Sequence, residues 1–392
     1  MSNNLSIFNY GQTKVIFGMS ALTLLSKELT RLQISKLLIV TDKALIRINV
    51  LEPLFHVLKE MALPYMVFDS VKPDPISSTV DDAVKLLQEE RCNGVIGIGG
   101  GSVMDCAKCI AAMASNSGTL LDYDHANPEY LEFSKTSIPL ISIPTTSGTG
   151  SEVSPYAVIT NEKEHRKATI GSPSLISKVA LLDPTFVKDL PKGATAMTGM
   201  DALTHCIEAY ASKSSKNEPN PIIDALALKG IFLISKSLIV AYETGDMEAR
   251  ADMMWGSLIG GMVLPYGSGA SHGLGNVLGG ELHVPHGAAV GMLLPNVIRF
   301  NHMADQERYL DIAKAALLSS NREEVSIDSF ICFLEDLLKK MNFPVLSDFV
   351  KDKHEIDHLA ELAIKDKCTR INIKHVTKED ASQIYLETME RK

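Results

Sequence analysis

Apolar and polar positions along the chain follow two patterns, and the change comes near residue 190. From Lys36 to Asp183 short, nearly all-apolar runs recur: Lys36–Asp42 (KLLIVTD), Pro64–Asp69 (PYMVFD), Gly94–Gly99 (GVIGIG), Ile138–Thr146 (IPLISIPTT) and Val179–Asp183 (VALLD). Between them, Leu51–Met61 and Thr79–Cys92 carry apolar residues at helical spacing, with Val80, Ala83, Val84, Leu86 and Leu87 forming one stripe. Strands that are apolar throughout and alternate with helices predict a parallel sheet covered on both faces. After Pro191 the strand pattern stops. Helical patterns follow at 195–212, 221–244, 246–264, 286–300, 303–318, 326–341, 352–366 and 377–391, punctuated by Pro265, Pro285, Pro295 and Pro344. The expected organisation is a Rossmann-like α/β domain over 1–187 and an all-helical domain over 188–392. The charged tail beyond residue 345 reads as a solvated helical end.

Length and composition narrow the function classes. The chain has 392 residues, ample for two cores, and its 45% apolar and 22% charged content is that of a globular protein. Lys plus Arg is 38 against 47 Asp plus Glu, a net charge of −9. An acidic chain without a basic tract is a poor ligand for nucleic acid or for an anionic membrane, so neither partner is expected. The most apolar helical stretch, Gly230–Tyr242, is interrupted by Lys236 and is too short to span a bilayer. Six cysteines without a CxxC pair do not form a disulfide framework, and the N-terminal segment lacks the pattern of a signal peptide. A reduced, cytoplasmic compartment is expected.

Two loops suggest a nucleotide. Gly97-Ile98-Gly99-Gly100-Gly101-Ser102 closes a strand and opens a helix expected over Val103–Asn116. Glycines there allow positive φ and close approach of a ligand, and free amides at a helix start suit a pyrophosphate. The spacing is not GxGxxG, so a simple chain reversal is an equal reading. The loop Pro144-Thr145-Thr146-Ser147-Gly148-Thr149-Gly150-Ser151-Glu152 also follows a strand, and its hydroxyls and amides suit ribose and phosphate oxygens. Both loops lie where open parallel sheets bind ligands. Asp42, ending the first strand, reads either as an acceptor for a ribose diol, which would select NAD over NADP, or as an ordinary strand-ending Asp.

A metal-ligand set appears in the helical half. Asp201 and His205 are four apart within a helical pattern, which puts both side chains on one face. An isolated pair of this kind is usually a surface hydrogen bond, but Met200, Ala202, Leu203 and Ile207 around it are apolar. His272 (GSGASHGLG) and His286 (HVPHG) sit among small residues, a setting in which a single His is commonly structural. Together the four offer one oxygen and three nitrogens and no thiolate, a set suited to Fe²⁺, Zn²⁺, Co²⁺ or Mn²⁺ at a catalytic site.

With these residues in hand, the chain resembles the iron-containing (group III) alcohol dehydrogenase family over nearly its whole length. The resemblance rests on Gly99-Gly100-Gly101-Ser102 with Asp105 and Lys108, on Pro144–Glu152, and on Gly199–His205 with Glu208-Ala209-Tyr210. It is completed by Leu278-Gly279-Gly280 and Pro285-His286-Gly287. It implies a dehydroquinate synthase-like fold with the active site in the cleft between two domains. It further implies Asp201, His205, His272 and His286 as ligands of a divalent metal, Fe²⁺ with Zn²⁺ as the alternative. Asp42, Gly100, Gly101, Ser102, Asp105, Thr145, Thr146, Thr149, Lys167 and Leu182 would lie along the NAD path. One departure matters: where many members carry a second histidine four residues after the third ligand, this chain has Asn276, and an amide cannot shuttle a proton. His283 is the candidate substitute.

The implied activity is reversible hydride transfer between a small primary or secondary alcohol and NAD, through a cytoplasmic homo-oligomer, dimer or higher. Alternatives are an NAD-dependent lyase of the dehydroquinate-synthase type and a metal-independent maleylacetate-type reductase. The scarcity of Lys and Arg near the ligand motifs argues against the first, and the intact Asp and His set argues against the second.

Overall fold

The computed structural model describes residues 6–11, 13–164, 166–319 and 324–391. The first residues of the N-terminal segment considered above, 1–5, lie outside the described ones. Contacts divide the chain into two compact units, Met1–Thr146 with Ser151–Lys188, and Ser147–Gly150 with Asp189–Lys392.

The first unit, among the described residues, is built on nine strands: β1 (Ser6–Tyr10), β2 (Thr13–Phe17), β3 (Leu37–Val40), β4 (Tyr65–Phe68), β5 (Gly94–Gly99), β6 (Leu140–Pro144), β7 (Tyr156–Asn161), β8 (Arg166–Gly171) and β9 (Val179–Leu182). Seven form one sheet in the order β1-β2-β9-β6-β5-β3-β4. All neighbours in it run parallel except β1 and β2. Side chains alternate between its faces, as the pleat requires. Leu38, Val40 and Val95 enter a core with Val80, Ala83, Leu87 and Ala107, whereas Leu37, Ile39 and Ile96 enter another with Leu54, Leu58 and Leu25. Burial on both faces explains why these strands read as unbroken apolar runs.

The chain lays down β3 and β4 in one direction, then returns to place β5 on the other side of β3. The carboxyl ends of β3 and β5 therefore flank a point where strand order reverses, the place where open α/β sheets hold ligands. Asp42 follows β3 and Gly100 follows β5.

Two hairpins were not anticipated from the pattern. β1–β2 adds an antiparallel margin, and β7–β8 forms a separate ribbon whose alternating apolar residues Ala157, Ile159, Ala168 and Ile170 are fully buried. Two-residue periodicity in YAVIT and RKATI carries that signal.

The second unit is helical. At its centre Lys192–Tyr210 packs against Pro221–Thr244, Met247–Val263 and His286–Asn301. One further helix, Ala270–Leu282, falls on the glycine-rich stretch that the apolar pattern left unassigned. The tail departs from the expected solvated end. Ile356, Leu359, Ala360, Ile384 and Tyr385 are buried in the helical core, and the Tyr385 hydroxyl donates to Leu274 O at 2.8 Å. The tail's charges lie on outer faces of amphipathic helices.

Candidate metal centre and nucleotide-binding loops

Lys192–Tyr210 is buried around almost its whole circumference, and it carries Asp201, His205 and Glu208 inside. Spacings of four and three put these three on one face, stacked turn over turn. His272 comes from the first turn of Ala270–Leu282, and His286 opens His286–Asn301. The four expected side chains meet around one atom. Asp201 Oδ1 lies 3.7 Å from His205 Nε2, 3.7 Å from His272 Nε2 and 3.5 Å from His286 Nε2. The His205 and His272 rings are stacked with centroids 4.6 Å apart, and His286 approaches the His272 ring at 5.5 Å. Asp201, His205 and His272 are buried, whereas the His286 side chain is 47% exposed.

This geometry fits a divalent ion. Ligands bonded at about 2.1 Å in a tetrahedral shell stand roughly 3.4 Å apart, within a few tenths of an ångström of the three spacings to Asp201. Ligand atoms of Asp201, His272 and His286 all lie within 4.8 Å of one another, and His205 joins them through its approach to Asp201. Asp201 Oδ1 and His272 Nε2 are also buried without a hydrogen-bond partner. A polar atom left so is costly unless something further engages it. Burial and mutual contact also shift the protonation of these groups. Burial pushes the Asp201 carboxyl up, but His205, His286 and His272 hold it well below the usual carboxylate range. Burial takes His205 down to about 4. For His272 burial acts in the same direction, but the Glu208 and Asp201 carboxylates prevail and lift it to about 10.

Glu208 is the residue the sequence left without a role. It is buried, and its carboxylate accepts from His272 Nδ1 at 2.6 Å, Ser271 N at 2.6 Å, Gly269 N at 2.8 Å and Ser268 Oγ at 3.2 Å. Its place seven residues after Asp201, on the same helix face, was the available signal.

Asn276 donates its amide to Asp366 Oδ2 at 3.3 Å. His283 is exposed and ends Ala270–Leu282 in the left-handed conformation, with φ 54°.

In the first unit the glycine turn departs from one expectation. None of Gly97, Gly99, Gly100 and Gly101 has positive φ. Their smallness serves close packing instead. A Cβ at Gly97 would stand 2.7 Å from Ala107 Cβ, and one at Gly99 would stand 2.6 Å from Val103. Gly100 is the N-cap of Gly101–Met113 and supplies no side-chain cap, so the amides of Gly101 and Ser102 open that helix. Thr145 N donates to Gly99 O at 3.0 Å, and Thr146 faces Gly100, so the turns after β5 and β6 abut. Leu182 is buried at the end of β9.

Three expected cofactor residues have other partners. Asp42 Oδ1 caps Lys43–Arg47, accepting from Ala44 N at 2.8 Å and Leu45 N at 2.9 Å. Asp105 accepts from Ser151 Oγ at 2.6 Å and Val158 N at 2.9 Å, and it pairs with the fully buried Lys108 at 3.0 Å. Lys167 pairs with Asp74 and donates to Thr160 Oγ1 at 3.3 Å. Thr149 belongs to the short segment that clusters with the helical unit. Its flanking glycines are there for close approach: a Cβ on Gly148 would meet Thr198 at 2.6 Å, and one on Gly150, at φ +59°, would meet Gly261 Cα at 2.5 Å.

Comparison with known proteins supplies the family. The profile described as "Iron-containing alcohol dehydrogenase" matches residues 12–184, and that described as "Fe-containing alcohol dehydrogenase family, C-terminal" matches residues 195–389. Alcohol dehydrogenase 4 of Saccharomyces cerevisiae is 37% identical over 373 residues, covering 94% of this chain and 94% of that one. Choline dehydrogenase of Bacillus subtilis is 34% identical over 379 residues, covering 95% and 92%. Among solved structures, an alcohol dehydrogenase from Oenococcus oeni superposes with a TM-score of 0.88 at 30% identity, covering 99% of this chain and 100% of that one.

Proposed function

The chain belongs to the iron-containing alcohol dehydrogenase family, and from that premise we propose that it oxidises a small primary or secondary alcohol, or reduces the matching aldehyde or ketone, with NAD and one divalent ion. The observation that carries the reading is the convergence of three imidazole Nε2 atoms on Asp201 Oδ1, itself buried and without a hydrogen-bond partner. Asp201, His205, His272 and His286 are the proposed ligands. A divalent ion held there would supply Lewis-acid assistance, lowering the pKa of an alcohol hydroxyl as it lowers that of water. NAD would supply the hydride acceptor.

The remaining work falls to the chain. Asp201 stays ionised through the working pH range, so its charge is always present for the ion. The amides that open Gly101–Met113 would receive a pyrophosphate, and the second oxygen of Asp42 would accept from a ribose hydroxyl and repel a 2′-phosphate. Asp105 and Lys167, held by their own partners, would shape the nucleotide site from behind. Asn276 would donate a hydrogen bond and relay no proton, and His283, the proposed substitute, is exposed at the end of Ala270–Leu282 opposite to the turn that carries His272.

The donor set favours Zn²⁺ over Fe²⁺ in binding strength, so metal supply would decide occupancy, and iron is proposed on the family's pattern. The six unpaired cysteines fit a reducing, cytoplasmic setting. No helix among the described residues is long and apolar enough to cross a membrane. Homo-oligomerisation is part of the proposal and is read by sedimentation.

The test is metal analysis of anaerobically purified protein with NAD⁺ and NADP⁺ turnover on C2 to C6 alcohols and the matching aldehydes. About one divalent ion per chain and NAD-linked turnover are expected. Absence of both from intact folded protein overturns the reading.

A further inference from the structure

We propose that Glu208 is a positioning residue, which locks the tautomer and orientation of His272 so that its Nε2 is presented bare to the metal. The inference rests on the metal-centre reading above and extends it to a residue that binds no ion.

Glu208 sits one turn beyond His205 on the helix that carries both His205 and Asp201. It faces the entry to Ala270–Leu282 and takes four hydrogen bonds from the stretch Ser268–His272. Two of the donors are backbone amides, which can only donate. A carboxylate can only accept. The 2.6 Å contact to His272 Nδ1 is therefore made by an Nδ1–H, which leaves Nε2 as the nitrogen that gives up its proton and offers a lone pair when an ion binds. That nitrogen, Nε2, is buried without a hydrogen-bond partner and faces Asp201 Oδ1.

The local backbone is shaped to admit the carboxylate. A Cβ on Gly269 would stand 3.0 Å from both Glu208 Cδ and Oε1, so glycine there lets the loop close on it. Gly269 is also the N-cap of Ala270–Leu282 and offers no side chain for the task, so Glu208 caps that helix from a neighbouring one. One carboxylate thus anchors the helix start and the ring three residues along it. His205 contrasts with this arrangement, since its Nδ1 is buried with no hydrogen-bond partner.

The test is Glu208→Gln, which keeps size and one acceptor but places an amide donor in the carboxylate's position. Co²⁺ affinity is measured by chelator competition and the visible absorption of the cobalt site, alongside the melting temperature of the metal-free protein. Co²⁺ binding weakened about 10- to 100-fold is expected, with an altered cobalt spectrum. A role confined to helix capping would lower the melting temperature and leave cobalt affinity within twofold of the parent, and that result overturns the proposal. If Glu208→Gln does not fold, the parent decides: in the zinc-loaded protein, imidazole nitrogen NMR should show His272 protonated at Nδ1 and ligating through Nε2. The reverse assignment overturns the proposal. A parent that binds no Co²⁺ refutes the metal centre itself, a failure distinct from that of Glu208.

Discussion

Two buried carboxylates in this protein face opposite electrostatic surroundings. Asp201 is surrounded by three imidazoles and held ionised, whereas Glu152 is 2% exposed with burial dominating, and its carboxyl rises to about 7. Ionising Glu152 is harder in the folded chain than in the unfolded one. Its contribution to stability is complete below pH 4.5 and is lost as pH rises through 7. Glu152→Gln, which does not titrate, should therefore melt increasingly above the parent between pH 5 and pH 8. The gain is at most about 3 kcal/mol, read by calorimetry across that range. Asp201→Asn removes the charge while keeping the shape. Bound divalent metal should fall to a tenth or less, and kcat/KM should drop by at least about 100-fold, measured by elemental analysis and steady-state kinetics. At this scale Asp201 and His205 were legible as an i, i+4 pair; the spacing also put Glu208 on their face, but nothing in its local sequence says that a loop sixty residues later will fold onto it.

Helix Ala270–Leu282 shows how packing overrides propensity. Gly273, Gly275, Gly279 and Gly280 each disfavour a helix by about 1 kcal/mol relative to alanine. Two of them are where other elements press close. A Cβ on Gly273 would overlap the Thr369 hydroxyl and stand 2.6 Å from its backbone nitrogen, and one on Gly275 would meet Val290 at 3.0 Å. On Gly280 a Cβ would meet nothing. The two sites should respond oppositely to alanine. Gly280→Ala should raise stability by about 0.5–1 kcal/mol through propensity alone, while Gly273→Ala should lower it by about 1–3 kcal/mol because backbone must move. Denaturant unfolding of both variants checks this. The central strands of the parallel sheet, β3, β5, β6 and β9, were legible because both faces of each are buried. The edge hairpin β1–β2 carries a weaker local pattern and took its assignment from pairing with β9.

At the scale of the molecule, the proposed metal centre ties three helices of one unit together, through residues 201, 205, 272 and 286. An ion that binds only the folded state stabilises it by mass action, by about 2.7 kcal/mol at a free concentration 100 times Kd. Chelation should therefore lower the melting temperature of the helical unit, and Fe²⁺, Co²⁺ or Zn²⁺ should restore it, as followed by scanning calorimetry. Asp201→Asn should show neither effect. A parent indifferent to chelator and metal would contradict the proposed centre.

By itself the sequence determined what periodicity and side-chain chemistry can carry: a parallel α/β half, a helical half, two small-residue loops at strand ends and a thiolate-free ligand set. These are local properties, because strand, turn and i, i+4 spacing depend on near neighbours along the chain. The tertiary structure alone decided which groups meet. It brought His272 and His286 onto Asp201, engaged Asp105 with Ser151 and Val158 and Lys167 with Asp74, and set a carboxylate from one helix at the start of another. The physical reason is that a buried polar atom is satisfied by whatever folding places beside it, at sequence separations that no local pattern records.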